Sequence, residues 1–308
     1  MTRGQAYVMV AVATTLWGLN GVISKVVLNH GISPAELTEC RMLGAFTGLA
    51  AVLLLTQPHT LRVTRREWPE LIALGLIGLV GVQLLYLVAL RTLPVGISVL
   101  IEYLAPVLVA LYAWLWLGKH VGRGLWAAIG LVVLGLALMV NVLSGGGGLD
   151  AGGVAAALLC ACAYAFYIIV TERGIPRRPA VATICIGFGV GSVFWVFAAP
   201  WWNFPWDRMP DAVSLDGRLA AWHLPLGLLI ACVVVLGTLV PFALLVSSLH
   251  ALPAARVTLL STWEPVAGGL IAWVWLGQSL TASQLAGAAL VLAGILVAEG
   301  LVGGEPHA

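Results

Sequence analysis

Residues 89–118 read ALRTLPVGISVLIEYLAPVLVALYAWLWLG, and residues 248–277 read SLHALPAARVTLLSTWEPVAGGLIAWVWLG. The two align without a gap at an offset of 159 residues (248 − 89). Leu93-Pro94 falls on Leu252-Pro253, Pro106-Val107 on Pro265-Val266, and residues 113–118 on 272–277. Both copies are apolar enough to lie in a membrane, and each carries one carboxylate, Glu102 or Glu264. A duplicated membrane helix with a buried acid points to a functional site.

The acids are not strict counterparts, since Glu102 aligns with Ser261 and Glu264 with Ala105. Each precedes a proline, by four residues or by one. Proline removes a backbone donor and bends the helix, which leaves nearby carbonyls free to meet a substrate or a water. A carboxylate near the bilayer midplane costs about 2.5–3.5 kcal/mol on insertion scales. It therefore faces a watery cavity, binds a cation or stays protonated, or is satisfied by a neighbouring Ser, Thr or Arg.

Composition agrees with a membrane setting. The 308 residues are 61% hydrophobic and 9% charged, against about 25% charged in soluble domains, so lipid is the solvent for much of the surface. The net charge of +2 is no dense basic patch, and nucleic acid is not an expected partner. Cys40, Cys160, Cys162, Cys185 and Cys232 all sit in apolar runs and read as small core residues. They imply neither zinc nor a disulfide framework. The N-terminus runs directly into a long apolar span without a small-residue cleavage site, so no removable signal peptide is expected.

Ten segments are long and apolar enough to span: 5–28, 35–57, 69–91, 95–117, 123–143, 149–172, 180–201, 222–249, 254–276 and 281–302. The widest gap, 203–221, is bordered by Trp201, Trp202, Trp206 and Trp222, which read as interfacial anchors, with a lid as the alternative. With the N-terminus inside, the cytoplasmic face collects Arg3, Arg62, Arg65, Arg66, Lys119, Arg123, Arg173, Arg177, Arg178 and Arg256. The other face holds Lys25, Arg41, Arg91, Arg208 and Arg218, so the lysine and arginine bias favours this orientation.

The duplication reaches further. Gly31, Gly44 and Gly48 match Gly174, Gly187 and Gly191 at an offset of 143 (174 − 31), pairing the second span with the seventh. The glycine run 145–148 falls between the halves. Five spans per half turn the second copy upside down. The expected fold is therefore all-α and integral to the membrane: ten transmembrane helices as two inverted five-helix repeats, residues 1–144 and 145–308, with both termini cytoplasmic. Secondary transporters share this architecture, and their substrate sites lie near the midplane between the repeats. Gly44/Gly48 and Gly187/Gly191 are GxxxG pairs, for which close helix packing is a sufficient reading.

Thr15-Leu16-Trp17-Gly18-Leu19-Asn20 followed by Lys25 resembles the opening motif of the EamA branch of the drug/metabolite transporter superfamily. The stretch from Pro106-Val107 to Leu117-Gly118, and its copy from Pro265-Val266 to Leu276-Gly277, are similar to that family's repeated signature in spans four and nine. The resemblance covers the whole chain. It implies ten spans, cytoplasmic termini and a central substrate cavity. The family often has an acid after each Leu-Gly, where this chain has Lys119 and Gln278, so no role is carried over for that acid. Residues 101–106, IEYLAP, are similar to the pattern of the amino-acid-exporting branch related to threonine/homoserine exporters.

The substrate-site candidates are Trp17 and Asn20 in span one, Gln83 and Tyr86 in span three, Glu102 and Tyr103 in span four, Tyr164 and Tyr167 in span six, and Trp263 and Glu264 in span nine. Such a mixed aromatic and polar set suits a small amphipathic metabolite. Glu102 and Glu264 are also the proton-coupling candidates. Glu36, Glu39 and Arg41, at one end of span two, read as side chains snorkelling to water, with substrate charge pairing as the alternative. Lys25, Arg91 and Arg256 near helix ends read similarly, and His250 as a satisfied or interfacial histidine.

The expected function is a secondary transporter in a bacterial plasma membrane. It would export small metabolites, amino acids or related amphipathic compounds by alternating access, with protons as the candidate coupling ion. A multidrug or nucleotide-sugar-like exchanger is the alternative within transport. An integral-membrane enzyme acting on lipid is the alternative of another class, although HExxH, GxxxxGK[ST] and GxSxG are all absent. No cofactor or metal is expected. The partners are a small-molecule substrate, the lipid bilayer and protons.

Overall fold

The computed structural model describes residues 2–118, 123–139, 149–173, 179–199, 201–248, 251–252 and 254–302. The glycine run 145–148, Lys119, Arg177, Arg178 and His250 lie outside them. The first three helices are α1 (Arg3–Asn29), α2 (Pro34–Thr56) and α3 (Trp68–Thr92). Then α4 comes in two pieces, Val95–Glu102 and Ala105–Leu117. The helices α5 (Arg123–Met139), α6 (Ala151–Arg173) and α7 (Ala180–Ala198) follow. Next is α8, residues 226–248, then α9 in two pieces, Ala254–Ser261 and Trp263–Leu276, and α10 (Ala282–Val302).

Among the described residues, seven helices are long and apolar enough to cross a membrane. The other three expected spans are also helical. Two of them, α5 and α10, contribute the shorter apolar stretches Trp126–Met139 and Ala282–Val297, and α9 is interrupted at Thr262.

Local sequence explains the helix starts. Thr2 and Gln5 form a capping box for α1, and Ser33 and Glu36 form one for α2, with Pro34 in the first turn. Glu36 is therefore a cap and not a snorkelling acid: the Ser33 N–H donates to its carboxylate at 2.7 Å.

The all-α membrane architecture agrees with the sequence reading, and two local features add to it. In the connection before α8, β1 (Ala212–Ser214) and β2 (His223–Pro225) pair antiparallel. As a result α8 begins at Leu226, not at 222. Trp222 lies between the hairpin strands rather than in a helix and, like Trp201, Trp202 and Trp206, is exposed, as an interfacial anchor would be. The second feature is π-helical winding inside α3, over Leu74–Val80, and inside α8, over Val235–Leu239. Such winding is rare, and it marks functional positions more often than chance. Cys162 is exposed on α6, so it is not a core residue, whereas Cys160 and Cys185 are buried.

The helices pack as α1 on α8 and α9, α2 on α7, α3 on α6, α4 on α6 and α9, and α5 on α10. Small residues make the crossings. A Cβ on Gly18 would stand 2.6 Å from the backbone nitrogen of Gly268 on α9. Gly44 and Gly48 meet Val234 and Leu239 of α8, while Gly187 and Gly191 meet Leu79 and Val80 of α3. The helix-packing reading of both GxxxG pairs holds.

Lys25 does not snorkel. Its ammonium donates to the carbonyls of Leu90, Arg91 and Leu93, where α3 ends. At the same end Thr92 donates to Asp150, just before α6, at 3.0 Å. The segment 201–225 joins that end too. Arg208 donates to the His30 carbonyl at 2.7 Å, Asn29 to Asp216 at 2.9 Å, and the Trp275 indole to the Leu215 carbonyl at 2.6 Å. Asp216 and Gly217 take positive φ (57° and 53°), and the turn they make lies against the last turn of α9.

Two stability predictions follow from these contacts. Lys25→Met, which strands charge-assisted carbonyl acceptors, costs about 1.5–3 kcal/mol. Gly18→Val overpacks the α1–α9 crossing and costs about 1–3 kcal/mol or more. Thermal unfolding of the purified variants in detergent checks both, and a conservative exchange at exposed Leu55 serves as the unchanged control.

Candidate substrate site at the broken helices

The breaks in α4 and α9 fall at aligned positions, Tyr103-Leu104 and Thr262. Their cause is Pro106 and Pro265, whose ring nitrogens cannot donate to the carbonyls of Glu102 and Ser261 four residues back. The chain tightens instead, and Leu104 N–H reaches the Ile101 carbonyl at 3.1 Å. Glu102 thus closes the first half of α4, at the negative end of that half-helix dipole, while Glu264 sits in the first turn of the second half of α9, at a positive end.

The structure brings several predicted residues together here. Tyr103 donates its hydroxyl to Glu264 Oε2 at 2.8 Å, bridging α4 and α9. Glu102 and Glu264 are half-buried and within electrostatic reach of one another. Tyr86 is buried and interacts with both, and Tyr164 lies near Tyr103. The tyrosine hydroxyl of residue 86 abuts Gly21 on α1, and the neighbouring Asn20 lies against Gly237 in the π-helical turn of α8. Asn20 and Gln83 are buried, and their side-chain oxygens have no hydrogen-bond partner among the described residues.

The remaining candidates lie less centrally. Trp17 packs edge-on against Phe242 at 5.7 Å. Tyr167 lies 5.9 Å from Tyr164 and borders the apolar cluster around Met42 and Phe188. Trp263 is 45% exposed, and its indole donates to Thr15 at 3.2 Å. A cavity of about 440 Å³ between α4, α9 and α10 is walled by apolar residues such as Leu100, Pro265 and Leu292. None of the ten predicted site residues lines it.

One member of the site was misread from sequence. Arg41 does not reach water; it is only 9% exposed, and its guanidinium is in electrostatic reach of Tyr86, Glu102 and Glu264. Its Nε and Nη1 have no hydrogen-bond partner among the described residues. Seven residues past Pro34, it lies about 10 Å along the helix, too deep to snorkel out. Glu39, two residues earlier and therefore on a different face of α2, is also buried, at 7% exposure. Ser24 on α1 and Thr238 in the π-helical turn add two more buried, unpartnered hydroxyls. The signal available for Arg41 was its depth, since a charged residue well inside a span is a functional candidate by default. Nothing in the sequence marked Ser24 or Thr238. Among the described residues, no group of three or more His, Cys, Asp or Glu is placed to hold a metal.

The EamA-like transporter family matches residues 4–141 and, a second time, residues 151–299. The chain belongs to this family. Similar proteins include the threonine/homoserine exporter RhtA of Salmonella typhimurium strain SL1344, 28% identical over 80% of this chain and 76% of that one. RhtA of Escherichia coli K12 is 27% identical over the same shares. The uncharacterized transporter YvbV of Bacillus subtilis is 28% identical over 96% of this chain and 92% of its own length. A solved crystal structure, 20% identical, superposes with a TM-score of 0.60 over 97% of this chain and 98% of that one, which establishes a shared fold.

For this EamA protein, the Tyr103–Glu264 bond is open to a direct test. Tyr103→Phe removes a hydrogen bond to an acid and lowers transport at sub-saturating substrate roughly tenfold or more, while the folded yield stays the same. Initial rates in proteoliposomes, set against size-exclusion profiles, check this.

Proposed function

We propose that this EamA transporter exports small metabolites, amino acids or related amphipathic compounds foremost, by alternating access, with Glu102 or Glu264 carrying a coupling proton. The observation that carries the reading is the polar group assembled at the two broken helices: Arg41, Tyr86, Glu102, Tyr103 and Glu264, fed from α2, α3, α4 and α9. Charge held at that depth costs about 2.5–3.5 kcal/mol on insertion scales, and intramembrane charges that persist at such a cost mark substrate or ion pathways. The likeness to RhtA supports amino acids as the substrate class. The relatives are transporters, which favours transport over lipid-modifying enzymology.

Two inverted five-helix units, 1–144 and 145–308, fit this reading. The double family match supports them. So do the principal helix pairings, which are unchanged when five is added to each helix number: α2–α7, α4–α9 and α5–α10 map onto themselves, α1–α8 onto α6–α3, and α1–α9 onto α6–α4, while the smaller α4–α10 and α1–α3 contacts have no counterpart of like size among the described residues. The direction of the chain is a third support. The C-terminal end of α1 and the N-terminal end of α6 reach the same face, through Lys25 at the end of α3 and Thr92 on Asp150. The arginine bias supports a cytoplasmic N-terminus and C-terminus in a bacterial inner membrane.

In this mechanism a proton binds one of the two acids from the outer side while substrate leaves, and it is released when the site opens inward. Reconstituted wild-type protein therefore accumulates substrate against its gradient when a proton gradient is imposed. The Glu102→Gln, Glu264→Gln double variant loses that accumulation. An unchanged response to the proton gradient in a folded double variant would sink the proton-carrier assignment.

A further inference from the structure

We infer that Arg41 is the residue that receives the substrate's carboxylate, so that the site is built for a zwitterion, with the carboxylate on Arg41 and the ammonium on the Glu102 and Glu264 side. The inference rests on the amino-acid reading above and adds which group holds which end.

The first ground is an unmet demand. A guanidinium presents five N–H donors in a rigid planar fork and stays charged in a protein. Here it is more than nine-tenths buried, with Nε and Nη1 unpartnered among the described residues. Buried polar groups are normally satisfied, and leaving a buried charge unpaired costs several kcal/mol. Nε and Nη1 belong to different edges of the fork, the side edge (Nε with Nη2) and the end edge (Nη1 with Nη2), so each edge that can grip a carboxylate keeps a donor free.

The second ground is where the nearby carboxylates stand. Glu102 and Glu264 act on Arg41 electrostatically, yet among the described residues neither approaches within salt-bridge distance, and Glu264 is held back by Tyr103. Arg41 and the two acids thus gather in one region without pairing directly. A lone cation bound there meets repulsion from Arg41, and a lone anion leaves the two carboxyl groups unmatched. A molecule with a carboxylate at one end and an ammonium at the other satisfies both sides. The negative end of the first α4 half-helix, with the Glu102 carbonyl freed by Pro106, adds acceptors on the ammonium side. Asn20, Ser24, Gln83 and Thr238 leave further buried polar atoms without partners, which suits a polar substrate side chain.

The test uses the full-length protein in proteoliposomes. Counterflow of labelled L-threonine is competed by unlabelled L-threonine, by its methyl ester, which keeps the ammonium but has no carboxylate, and by L-lactate, which has only the carboxylate. A panel of the other common amino acids is run alongside. The wild type is expected to prefer a zwitterion over its methyl ester by at least about tenfold. Arg41→Gln is expected to lose roughly 10- to 100-fold in zwitterion affinity, the value of a charge-assisted hydrogen bond, and to bind the ester as well as or better than the wild type. Arg41→Lys keeps the charge without the fork and falls between them. A general folding defect weakens all ligands together and does not reverse their order. If Arg41→Gln fails to fold, the wild-type preference and the Arg41→Lys profile decide.

Equal affinity for L-threonine and its ester in the wild type, or an Arg41→Gln variant with unchanged preference, overturns the inference while leaving amino-acid export standing. Movement of L-lactate but of no amino acid, lost in Arg41→Gln, overturns the amino-acid reading and the zwitterion but keeps Arg41 as the carboxylate residue. Absence of binding and flux for every amino acid and for lactate overturns both.

Discussion

A proline in the middle of a membrane helix deprives one carbonyl of its partner, and lipid offers no water in exchange. Pro106 and Pro265 impose this twice, at matching places in α4 and α9. Helices broken in this way are tolerated only where the broken turn faces protein or a wet cavity, so the breaks themselves demand a polar interior. Arg41 from α2, Tyr86 from α3 and the two glutamates gather about them. The apolar helix exteriors and the glycine crossings hold that interior closed. The Gly18–Gly268 approach is the clearest case, because it brings α1 onto the very half-helix that carries Glu264 in its first turn.

The packing is more symmetric than the chemistry. The π-helical turns recur in α3 and α8, and the proline breaks recur in α4 and α9. The charges do not repeat: Ser261 stands where Glu102 would, Ala105 where Glu264 would, and the residue matching Arg41 at the offset of the second and seventh spans (41 + 143) is Ile184. A symmetric scaffold lets two halves exchange roles between states. An asymmetric charge set makes one orientation of a zwitterion better than the other. Under the proposed mechanism, duplication would supply the motion and divergence after duplication the selectivity.

The membrane class, the helical segments, the break points and the pair of acids were legible because each follows from local rules: apolar length, proline chemistry and the repeat at 159. Arg41 was read as terminal because, two turns into the span, a long charged side chain can still be taken to reach water. Its burial and its approach to Tyr86, Glu102 and Glu264 come from tertiary packing, which no local rule shows. The hairpin at 212–225 was missed because Trp222, Leu224 and Leu226 continue the apolar pattern of α8, and a strand of three residues is too short to show alternation. The π-helical turns leave no periodic trace at all, although Gly75, Gly78 and Gly237 permit the close approaches around them.

The segment 201–225 bears on how the halves can move. It ties the end of α1, through Asn29 and His30, to the end of α9, through Trp275, and Arg218 lies over the Trp273 ring at 5.4 Å. Under the two-unit reading, α1 belongs to the first unit and α9 to the second, so this strap fastens the units to one another at a single face. Opening it by a rocking motion requires the strap to release at least one of its anchors, while the glycine contact between α1 and α9 deeper in the molecule serves as the pivot. Asp216 is the weakest of these anchors, since it holds a left-handed backbone conformation disfavoured for a side-chain-bearing residue and makes its bonds at a partly exposed position. The same loop carries the exposed Trp201, Trp202, Trp206 and Trp222.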